Sequence, residues 1–389
     1  MDYKKGALEI NDYLISLRRQ FHSFAERGFE LPKTLALVKK ELLSMGIQPY
    51  PVGKAGLCAL IGKGEKCVLL RADMDALPME ETTGLPFAST SGGTHSCGHD
   101  CHTAMLLGAA KLLKANENEL KGCVKLMFQP AEELLAGALD MVENGVLENP
   151  KVDVAFAEHI MVGLEDSSVG TVRYSKGSAL YSGDAVQIDI LGKSAHGSSA
   201  FMGVDAINIA AHIVVALNEI ISREIPSDEH SVVLVGTIKG GDTVNTTPGS
   251  AILGVSIRAQ TDEKRKFLKQ RVKEISEGVA TTYRGQAKVT FLYGISPLVC
   301  DENLSDCAHR YVAELGYSPI CVPTSNGTED FTAVAQKVPS VMLNLGAGTI
   351  GEGHTCSMHN SGMTADEGVL PVGCGVYAQC ATRWLEENQ

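Results

Sequence analysis

The sequence predicts an α/β protein with a second, smaller domain inserted into the first. In the first 175 residues, apolar runs of strand length alternate with amphipathic segments of helix length. Between residues 180 and 293 the predicted order changes to strand, helix, strand, strand, helix, strand, which is the ferredoxin-like arrangement. After residue 294 the chain returns to helices and strands that can complete the first domain.

We therefore expect a discontinuous domain of residues 1–179 and 294–389 and an inserted domain of residues 180–293. A chain of 389 residues suits two or three domains. Its 44% apolar and 21% charged residues are typical of globular proteins and exclude a largely disordered chain. The net charge of −12 argues against general binding to nucleic acid or to anionic membranes.

Turn and stop signals delimit the elements predicted in the first domain. Gly46 is typical of a helix end, and Gly62-Lys63-Gly64-Glu65 is typical of a hairpin turn between two apolar runs. The predicted helices are 7–27, 33–46, 102–115 and 137–144, and the predicted strands are 57–61, 67–70, 123–128 and 152–157. Because helices of this length alternate with strands, we expect the sheet to contain parallel pairs.

The inserted domain has clearer periodicity. Residues 185–191 alternate between apolar and polar side chains, as a half-buried strand does. The other predicted strands are 231–238, 252–258 and 288–293, and the predicted helices are 204–221 and 263–282. This segment is long enough for a compact domain of its own.

The sequence favours a cytoplasmic location. No run approaches the ~18 consecutive apolar residues of a membrane span, and the N-terminus lacks the apolar core of a signal peptide. The 11 cysteines are odd in number and scattered, so we expect most of them to be free thiols that pack as small apolar residues in a reducing compartment.

One segment, His95-Ser96-Cys97-Gly98-His99-Asp100-Cys101-His102, is dense in potential metal ligands. Cys97 and His99 are two residues apart, so they point to the same side of an extended segment. A thiolate and an imidazole suit a borderline-soft ion such as Zn²⁺. Which of the three histidines binds stays open, but His102 is expected in the first turn of a helix, where a structural hydrogen bond is favoured.

Two adjacent glutamates, Glu132 and Glu133, follow the apolar strand 124–128. In an open α/β sheet, ligands gather at the carboxyl ends of the strands. Because neighbouring carboxylates rarely point the same way, one can bind a metal while the other acts as a general base on metal-bound water. Taken alone, the pair is equally typical of two solvated glutamates at a helix start.

Further candidates also follow apolar strands or cluster with other polar residues. His159 ends the strand that begins near residue 152, and His354 and His359 share one polar segment. Asp73 and Asp75 follow the strand 67–70 and are candidates either for ligands or for carboxylates that orient a ligand histidine; we favour the second role for Asp75.

Together these segments resemble the dinuclear-metal aminoacylase/carboxypeptidase family. The resemblance is greatest to its amidohydrolase branch, which contains hippurate hydrolase, N-acyl-amino-acid amidohydrolases and auxin-conjugate hydrolases. The matching motifs are Arg71-Ala-Asp-Met-Asp-Ala-Leu-Pro78, residues 95–102, Phe128-Gln-Pro-Ala-Glu-Glu133, Gly192-Lys-Ser-Ala-His196, Thr328-Glu-Asp-Phe331, and Met358-His-Asn-Ser361 with Asp366-Glu367. They occur in the family's order and span nearly the whole chain.

The resemblance implies a mixed-sheet metallohydrolase catalytic domain with an inserted ferredoxin-like lid or dimerisation domain. It implies two divalent metal ions, Zn or Mn with Co or Ni as alternatives, held by Cys97, His99, Glu133, His159 and His359. It assigns Glu132 as general base.

In the inserted domain, the resemblance implies that His196 polarises the scissile carbonyl, across the interface in dimeric members. Asn245 matches a substrate-contacting lid position. Arg258 is a candidate for the substrate carboxylate, although an exposed strand arginine is the equal alternative. The motif departs from the family's usual pattern in one respect, because no proline follows His196 within residues 197–200.

The activity implied is metal-dependent hydrolysis of N-acyl amino acids, for example N-acetyl or N-benzoyl, to a carboxylic acid and a free amino acid. The expected partners are a small-molecule substrate and a second copy of the chain, as a homodimer or a dimer-based tetramer. One alternative is a dipeptidase or carboxypeptidase-like enzyme of the same family. Two others are a non-catalytic metal-containing binding protein and a metal-independent hydrolase with Cys97 as nucleophile.

Overall fold

The computed structural model describes residues 2–389, which fold as two compact units. The larger unit contains residues 2–179, 299–323 and 330–389, and the smaller unit contains residues 180–298 and 324–329. The sequence analysis set the boundaries at residues 180 and 293 and gave the segment 324–329 to the larger domain.

Helices and strands alternate along most of the described chain. The α-helices are α1 (Tyr3–Glu9), α2 (Asn11–Phe24), α3 (Pro32–Ser44), α4 (His99–Ala115), α5 (Gly137–Glu143), α6 (Ala206–Glu219), α7 (Asp262–Thr282), α8 (Glu302–Glu314), α9 (Thr332–Ala335) and α10 (Val369–Glu387). The strands are β1 (Tyr50–Val52), β2 (Gly56–Gly62), β3 (Cys67–Asp73), β4 (Cys123–Gln129), β5 (Val154–Met161), β6 (Val172–Tyr174), β7 (Gly177–Leu180), β8 (Gly183–Leu191), β9 (Ala195–His196), β10 (Ser231–Gly240), β11 (Thr246–Thr247), β12 (Ser250–Ala259), β13 (Gln286–Ile295), β14 (Leu298–Cys300), β15 (Ile320–Cys321) and β16 (Ser340–Gly346).

The larger unit is built on a mixed sheet, which confirms the predicted α/β class. Its strand order is β1-β2-β4-β3-β5-β16-β6-β15. The pairs β3–β4, β3–β5 and β5–β16 are parallel, whereas β1–β2 and β2–β4 are antiparallel. Helices α4 and α10 pack on this sheet and enclose an apolar core, and α5 and α9 lie against β4 and β16.

The predicted hairpin between β2 and β3 is wrong, because β4 lies between these two strands. Strand β3 is central in the sheet, because it pairs with β4 on one side and with β5 on the other. All seven of its residues are buried. The turn at residues 62–65 reverses the direction of the chain but leaves a gap between β2 and β3, which β4 fills. A Cβ at Gly62 would come within 2.5 Å of the Gly122 carbonyl oxygen, because the start of β4 passes there.

The smaller unit has the predicted ferredoxin-like arrangement. Its antiparallel sheet has the order β10-β12-β8-β13, and α6 and α7 pack against it. Within residues 2–389, the stretch Ala206–Glu224 is the one helical segment whose length and composition would suit a membrane span. Ile209 and Ile213 of this helix are fully buried in the unit's apolar core.

Tyr377 of α10 joins two strands where their backbone pairing stops. The ladder between β3 and β5 ends at Arg71 and Ala157. Just beyond it, the Tyr377 hydroxyl accepts a hydrogen bond from the Glu158 N–H at 3.0 Å and donates one to the Arg71 carbonyl. One buried side chain therefore satisfies a backbone donor and a backbone acceptor that face each other across the gap.

Replacing Tyr377 by Phe should destabilise the larger unit by about 2 kcal/mol, because both buried backbone groups lose their partner. Urea unfolding followed by the fluorescence of Trp384 measures this, since the chain's single tryptophan lies in the same helix. Tyr317→Phe is the control. Its ring keeps the contact with Lys4, and the change should stay within about 0.5 kcal/mol. Equal small effects of both substitutions would contradict the bridging role.

Candidate metal centre

The predicted ligands converge at the carboxyl edge of the central strands. Because β3, β4 and β5 are parallel, their carboxyl ends meet at one edge of the sheet. Glu132 and Glu133 follow the end of β4, and His159 lies near the end of β5. Cys97 precedes α4. The sequence analysis expected this helix to begin at His102, but it begins three residues earlier, at His99.

The structure brings together the five residues expected to bind metal. Cys97 Sγ lies 3.4 Å from His159 Nε2 and 3.3 Å from His359 Nε2. Glu133 Oε1 lies 3.6 Å from His359 Nε2 and 4.0 Å from His99 Nε2. Donor atoms ~2.0–2.3 Å from one tetrahedral zinc ion are ~3.3–3.7 Å apart, so these spacings fit shared ligation of a cation.

Backbone carbonyls orient two of the histidines. His99 Nδ1 lies 2.8 Å from the Asp75 carbonyl oxygen, and His159 Nδ1 lies 2.7 Å from the Ile160 carbonyl oxygen. Because a carbonyl can only accept, each Nδ1 carries the hydrogen and each Nε2 carries a lone pair. Within residues 2–389, the buried atoms His99 Nε2 and Glu133 Oε1 have no hydrogen-bond partner. Such atoms are costly to bury unpaired, and they fit a bound cation.

The Asp75 carboxylate positions the two glutamates. Its Oδ1 accepts the Glu132 N–H at 2.9 Å, and its Oδ2 accepts the Glu133 N–H at 3.3 Å. The preceding residue, Ala131, has a φ of 53°, which a side chain other than glycine adopts only when its surroundings enforce it. Asp75 contacts His99 through its carbonyl oxygen, and its carboxylate Oδ1 lies 3.7 Å from the same ring nitrogen; its role in orienting a ligand histidine stays a prediction.

The remaining histidines of the motifs have other partners. His102 Nδ1 lies 2.6 Å from Asp73 Oδ1, and its Nε2 accepts the Ile160 N–H, so its role is structural, as expected. His354 donates from Nδ1 to a backbone carbonyl at 2.7 Å. His95 is the exception among these histidines, because neither of its ring nitrogens has a hydrogen-bond partner within residues 2–389. Burial lowers its pKa to about 3, and it belongs to none of the possible metal-binding groups of the described residues.

The electrostatics of the cluster favour a cation. Burial raises the pKa of the Cys97 thiol and of the Glu133 carboxyl, and burial lowers the pKa of His159 to about 3. Burial also disfavours protonation of His99, but Asp73 and Cys97 outweigh it and raise the pKa of His99 well above its usual value. The negative charge around His99 that raises its pKa would equally favour a divalent cation at its Nε2.

Arg71 anchors the strand end beneath the cluster. Its guanidinium is fully buried and donates to Gln129 at 2.7 Å, Asp73 at 2.8 Å and Asp330 at 3.1 Å. Asp73 in turn contacts His102. The motif residues Arg71 and Asp330 therefore hold the ends of β3 and β4 together rather than facing a substrate.

The sequence analysis missed a second buried network behind His99. Arg18 donates to Asp100 at 2.8 Å, and the two ring nitrogens of His22 contact Asp100 at 2.8 Å and Glu81 at 3.0 Å. Burial opposes a charge on His22, but these carboxylates outweigh it and raise its pKa to about 9. A signal was present, because Arg18 and His22 fall on the apolar face of α2.

Three further predicted residues lie in the smaller unit. His196 is exposed in β9, and its Nδ1 accepts the Ser198 N–H at 3.2 Å. The exposed Asn245 accepts the Gly197 N–H through its backbone carbonyl at 2.7 Å. Arg258 of β12 donates to Thr328 Oγ1 at 3.0 Å. Their roles in substrate binding stay predictions.

Known proteins share both this sequence and this fold. Residues 69–383 match the pattern of the family described as Peptidase family M20/M25/M40. The chain is 36% identical over 388 residues to N-acetyl-L-cysteine deacetylase of Bacillus subtilis, across 98% of this chain and 90% of that relative. It is 34% identical over 385 residues to an IAA-amino acid hydrolase of Arabidopsis thaliana, across 97% of this chain and 86% of that relative.

A solved structure from Bacillus subtilis, described as a dinuclear metal binding peptidase from the M20 family, matches this fold with a TM-score of 0.84. The two proteins are 32% identical, and the match covers 97% of this chain and 99% of that one. The resemblance inferred from the motifs is thereby confirmed.

Cys97→Ser should lower the amount of metal bound per chain and weaken the metal affinity at least tenfold. Removing a residue that only hydrogen-bonds to a metal ligand already lowers metal affinity ~10–100-fold, and Cys97 is a proposed ligand itself. Equilibrium dialysis against Zn²⁺ or Mn²⁺ followed by elemental analysis measures both quantities. Cys101→Ser is the matched control, because Cys101 is also buried, lies four residues further along, in α4, and packs in the apolar core. Unchanged metal binding by the Cys97 variant would remove its thiol from the ligand set.

Proposed function

The chain belongs to peptidase family M20/M25/M40, and we propose that it hydrolyses the amide bond of N-acyl amino acids to a carboxylic acid and a free amino acid. Its class is that of a metal-dependent hydrolase of linear amides. The observation that carries the proposal is the convergence of five candidate ligand side chains beside a further carboxylate, that of Glu132.

We assign the metal site to Cys97, His99, Glu133, His159 and His359. When bound there, two divalent ions supply a Lewis acid that polarises the amide carbonyl and lowers the pKa of water. The thiolate of Cys97 favours Zn²⁺, whereas the imidazole and carboxylate ligands also admit Mn²⁺ and, as further alternatives, Co²⁺ or Ni²⁺. Asp75 supports this set by holding the backbone of Glu133 and the ring of His99.

Glu132 is our candidate for the general base. The residue is 6% exposed, and its backbone N–H is held by Asp75. Its Oε2 lies 4.0 Å from His99 Nε2, at the border of the ligand cluster. From there Glu132 can take a proton from the attacking water and return it to the nitrogen of the leaving amine.

His196 is our candidate for stabilising the charge that develops on the carbonyl oxygen. Because its Nδ1 accepts a backbone N–H, the ring hydrogen resides on Nε2, which leaves Nε2–H as the donor. We assign the substrate carboxylate to Arg258 and a further substrate contact to Asn245. In a homodimer, or a tetramer built from dimers, His196 would act on the partner's substrate. The dimer-based assembly and the cytoplasmic location stay predictions.

Two alternatives differ in the bond that is cleaved or in the catalytic group. The solved relative is described as a peptidase, which keeps dipeptides among the candidate substrates. A nucleophilic Cys97 is disfavoured, because burial raises the pKa of its thiol, whereas reactive cysteines have a lowered pKa. The binding-protein alternative loses its support, since the named relatives are enzymes.

The metal-loaded protein should release amino acids from a panel of N-acetyl, N-benzoyl and longer N-acyl amino acids, and a chelator should abolish this activity. Amine release measured with and without the chelator, alongside elemental analysis, checks the proposal. Dipeptides belong in the same panel. Cleavage of dipeptides alone would replace the proposed substrate class, and activity that survives complete metal removal would contradict the metal-dependent mechanism.

Glu132→Gln should lower kcat by on the order of 10²–10⁴-fold, because the amide cannot accept the proton. Its bound metal should stay at the wild-type level, since Glu132 is not a proposed ligand. Glu143→Gln, an exposed glutamate at the end of α5, is the matched control and should keep full activity. Wild-type turnover by the Glu132 variant would exclude it as the base.

A further inference from the structure

Three buried thiols share the face of the sheet that lies away from α4 and α10. Cys67 is the first residue of β3, Cys123 is the first residue of β4, and Cys58 lies in the neighbouring β2. Cys67 and Cys123 are direct partners in the parallel ladder, so their side chains emerge side by side on the same face. None of the three belongs to the metal centre or to the apolar core around α4.

The spacing of this pair suits a covalent bond. Neighbouring strands are ~4.7–4.9 Å apart, and Cα atoms joined by a disulfide are usually ~4.4–6.8 Å apart. Both side chains are buried and leave directly paired positions on the same face, so the two sulfur atoms are neighbours. The chain therefore need not move its backbone far to join them.

A buried ammonium group lies on the same face, two residues further along β4. Lys125 Nζ donates to the carbonyl oxygens of Val146, Glu148 and Pro150 at 2.9, 2.7 and 2.8 Å. These three acceptors match the three hydrogens of an ammonium group, so the positive charge can be held inside the fold. A fixed cation beside a thiol favours the thiolate, which is the reactive form.

Contact between the two thiols lowers the pKa of Cys123; burial opposes this shift, and Lys125 adds to it. The same contact and burial raise the pKa of Cys67, and Lys125 opposes that rise. Because Lys125 follows Cys123 by two residues and lies on the same face of β4, we assign Cys123 as the nucleophile and Cys67 as its resolving partner.

We propose that Cys67 and Cys123 form a reversible dithiol–disulfide site that hydroperoxides oxidise. The Cys123 thiolate attacks one peroxide oxygen and the O–O bond breaks, which gives a sulfenic acid and, when H₂O₂ is the oxidant, hydroxide. The hydroxide takes up the proton that Cys123 released on ionising and becomes the first water. The Cys67 sulfur then attacks the Cys123 sulfur, its proton leaves with the hydroxyl as a second water, and the S–S bond forms. Two electrons pass from the two thiols to the peroxide.

The site is separate from the metal centre and lies near solvent. Six residue steps of β3 separate Cys67 from Asp73 at the other edge of the sheet, a distance of about 20 Å. Residues 63–65 and Lys121, which flank the two cysteines in sequence, are exposed. A small oxidant therefore has a short path to the pair, and the bond would form without the Cys97 thiol.

Peptide mapping tests the proposal on the full-length, metal-loaded protein. The protein is treated with hydrogen peroxide, its free thiols are blocked with N-ethylmaleimide under denaturing conditions, and it is digested with trypsin. The three thiols fall in different tryptic peptides, because cleavage at the flanking lysines and arginine yields residues 55–63, 67–71 and 122–125. We expect peptides 67–71 and 122–125 to be joined, with the loss of two hydrogen atoms, and dithiothreitol to separate them.

Substitutions identify the thiols involved. Cys67→Ala should abolish the cross-link and leave Cys123 as a sulfenic acid that dimedone traps, and Cys123→Ala should abolish both products. Cys58→Ala is the matched control and should form the cross-link within twofold of the wild-type rate. Cross-linking of Cys58 instead, or a pair that stays fully alkylated while the exposed Cys321 is oxidised, would overturn the proposal. The readout does not depend on hydrolase activity.

Discussion

The parallel pairing of β3, β4 and β5 is the constraint on which the metal centre depends. Three strands that run in one direction deliver three loops to one edge of the sheet, although the loops are far apart in sequence. The ligands then need only short extensions from rigid strands to meet. A one-strand change in order, such as the predicted hairpin of β2 with β3, would separate the Asp75 loop from the Glu132–Glu133 loop that it holds.

Several of the charged groups buried at this edge are stabilised by defined partners. Arg71 joins two strand ends and Asp330, and Arg18 with His22 neutralises Asp100 behind the first turn of α4. Removing one partner from such a pair leaves the other charge buried and unpaired. This destabilises the fold more than replacing the whole pair by apolar residues does. Among the buried polar atoms that have no hydrogen-bond partner within residues 2–389, His99 Nε2 and Glu133 Oε1 belong to the proposed ligands.

The buried cysteines of this chain differ in chemistry because their surroundings differ. Cys101 and Cys374 pack in the apolar core, as the composition predicted for most thiols. Cys97 faces two imidazoles, which suits a metal ligand. Cys67 and Cys123 face each other near a buried ammonium group. Residue type and burial alone do not distinguish these cases, because the decisive neighbours come from other strands and loops.

The sequence by itself determined the α/β class, the ferredoxin-like order of the inserted segment and the family, because periodicity and motifs are local properties of the chain. It also named the five ligand candidates. Only the tertiary structure decided the strand order around β4 and the burial of Arg18 and His22 against Asp100. These features depend on contacts between residues distant in sequence, and no local pattern specifies which distant group will satisfy a buried polar atom.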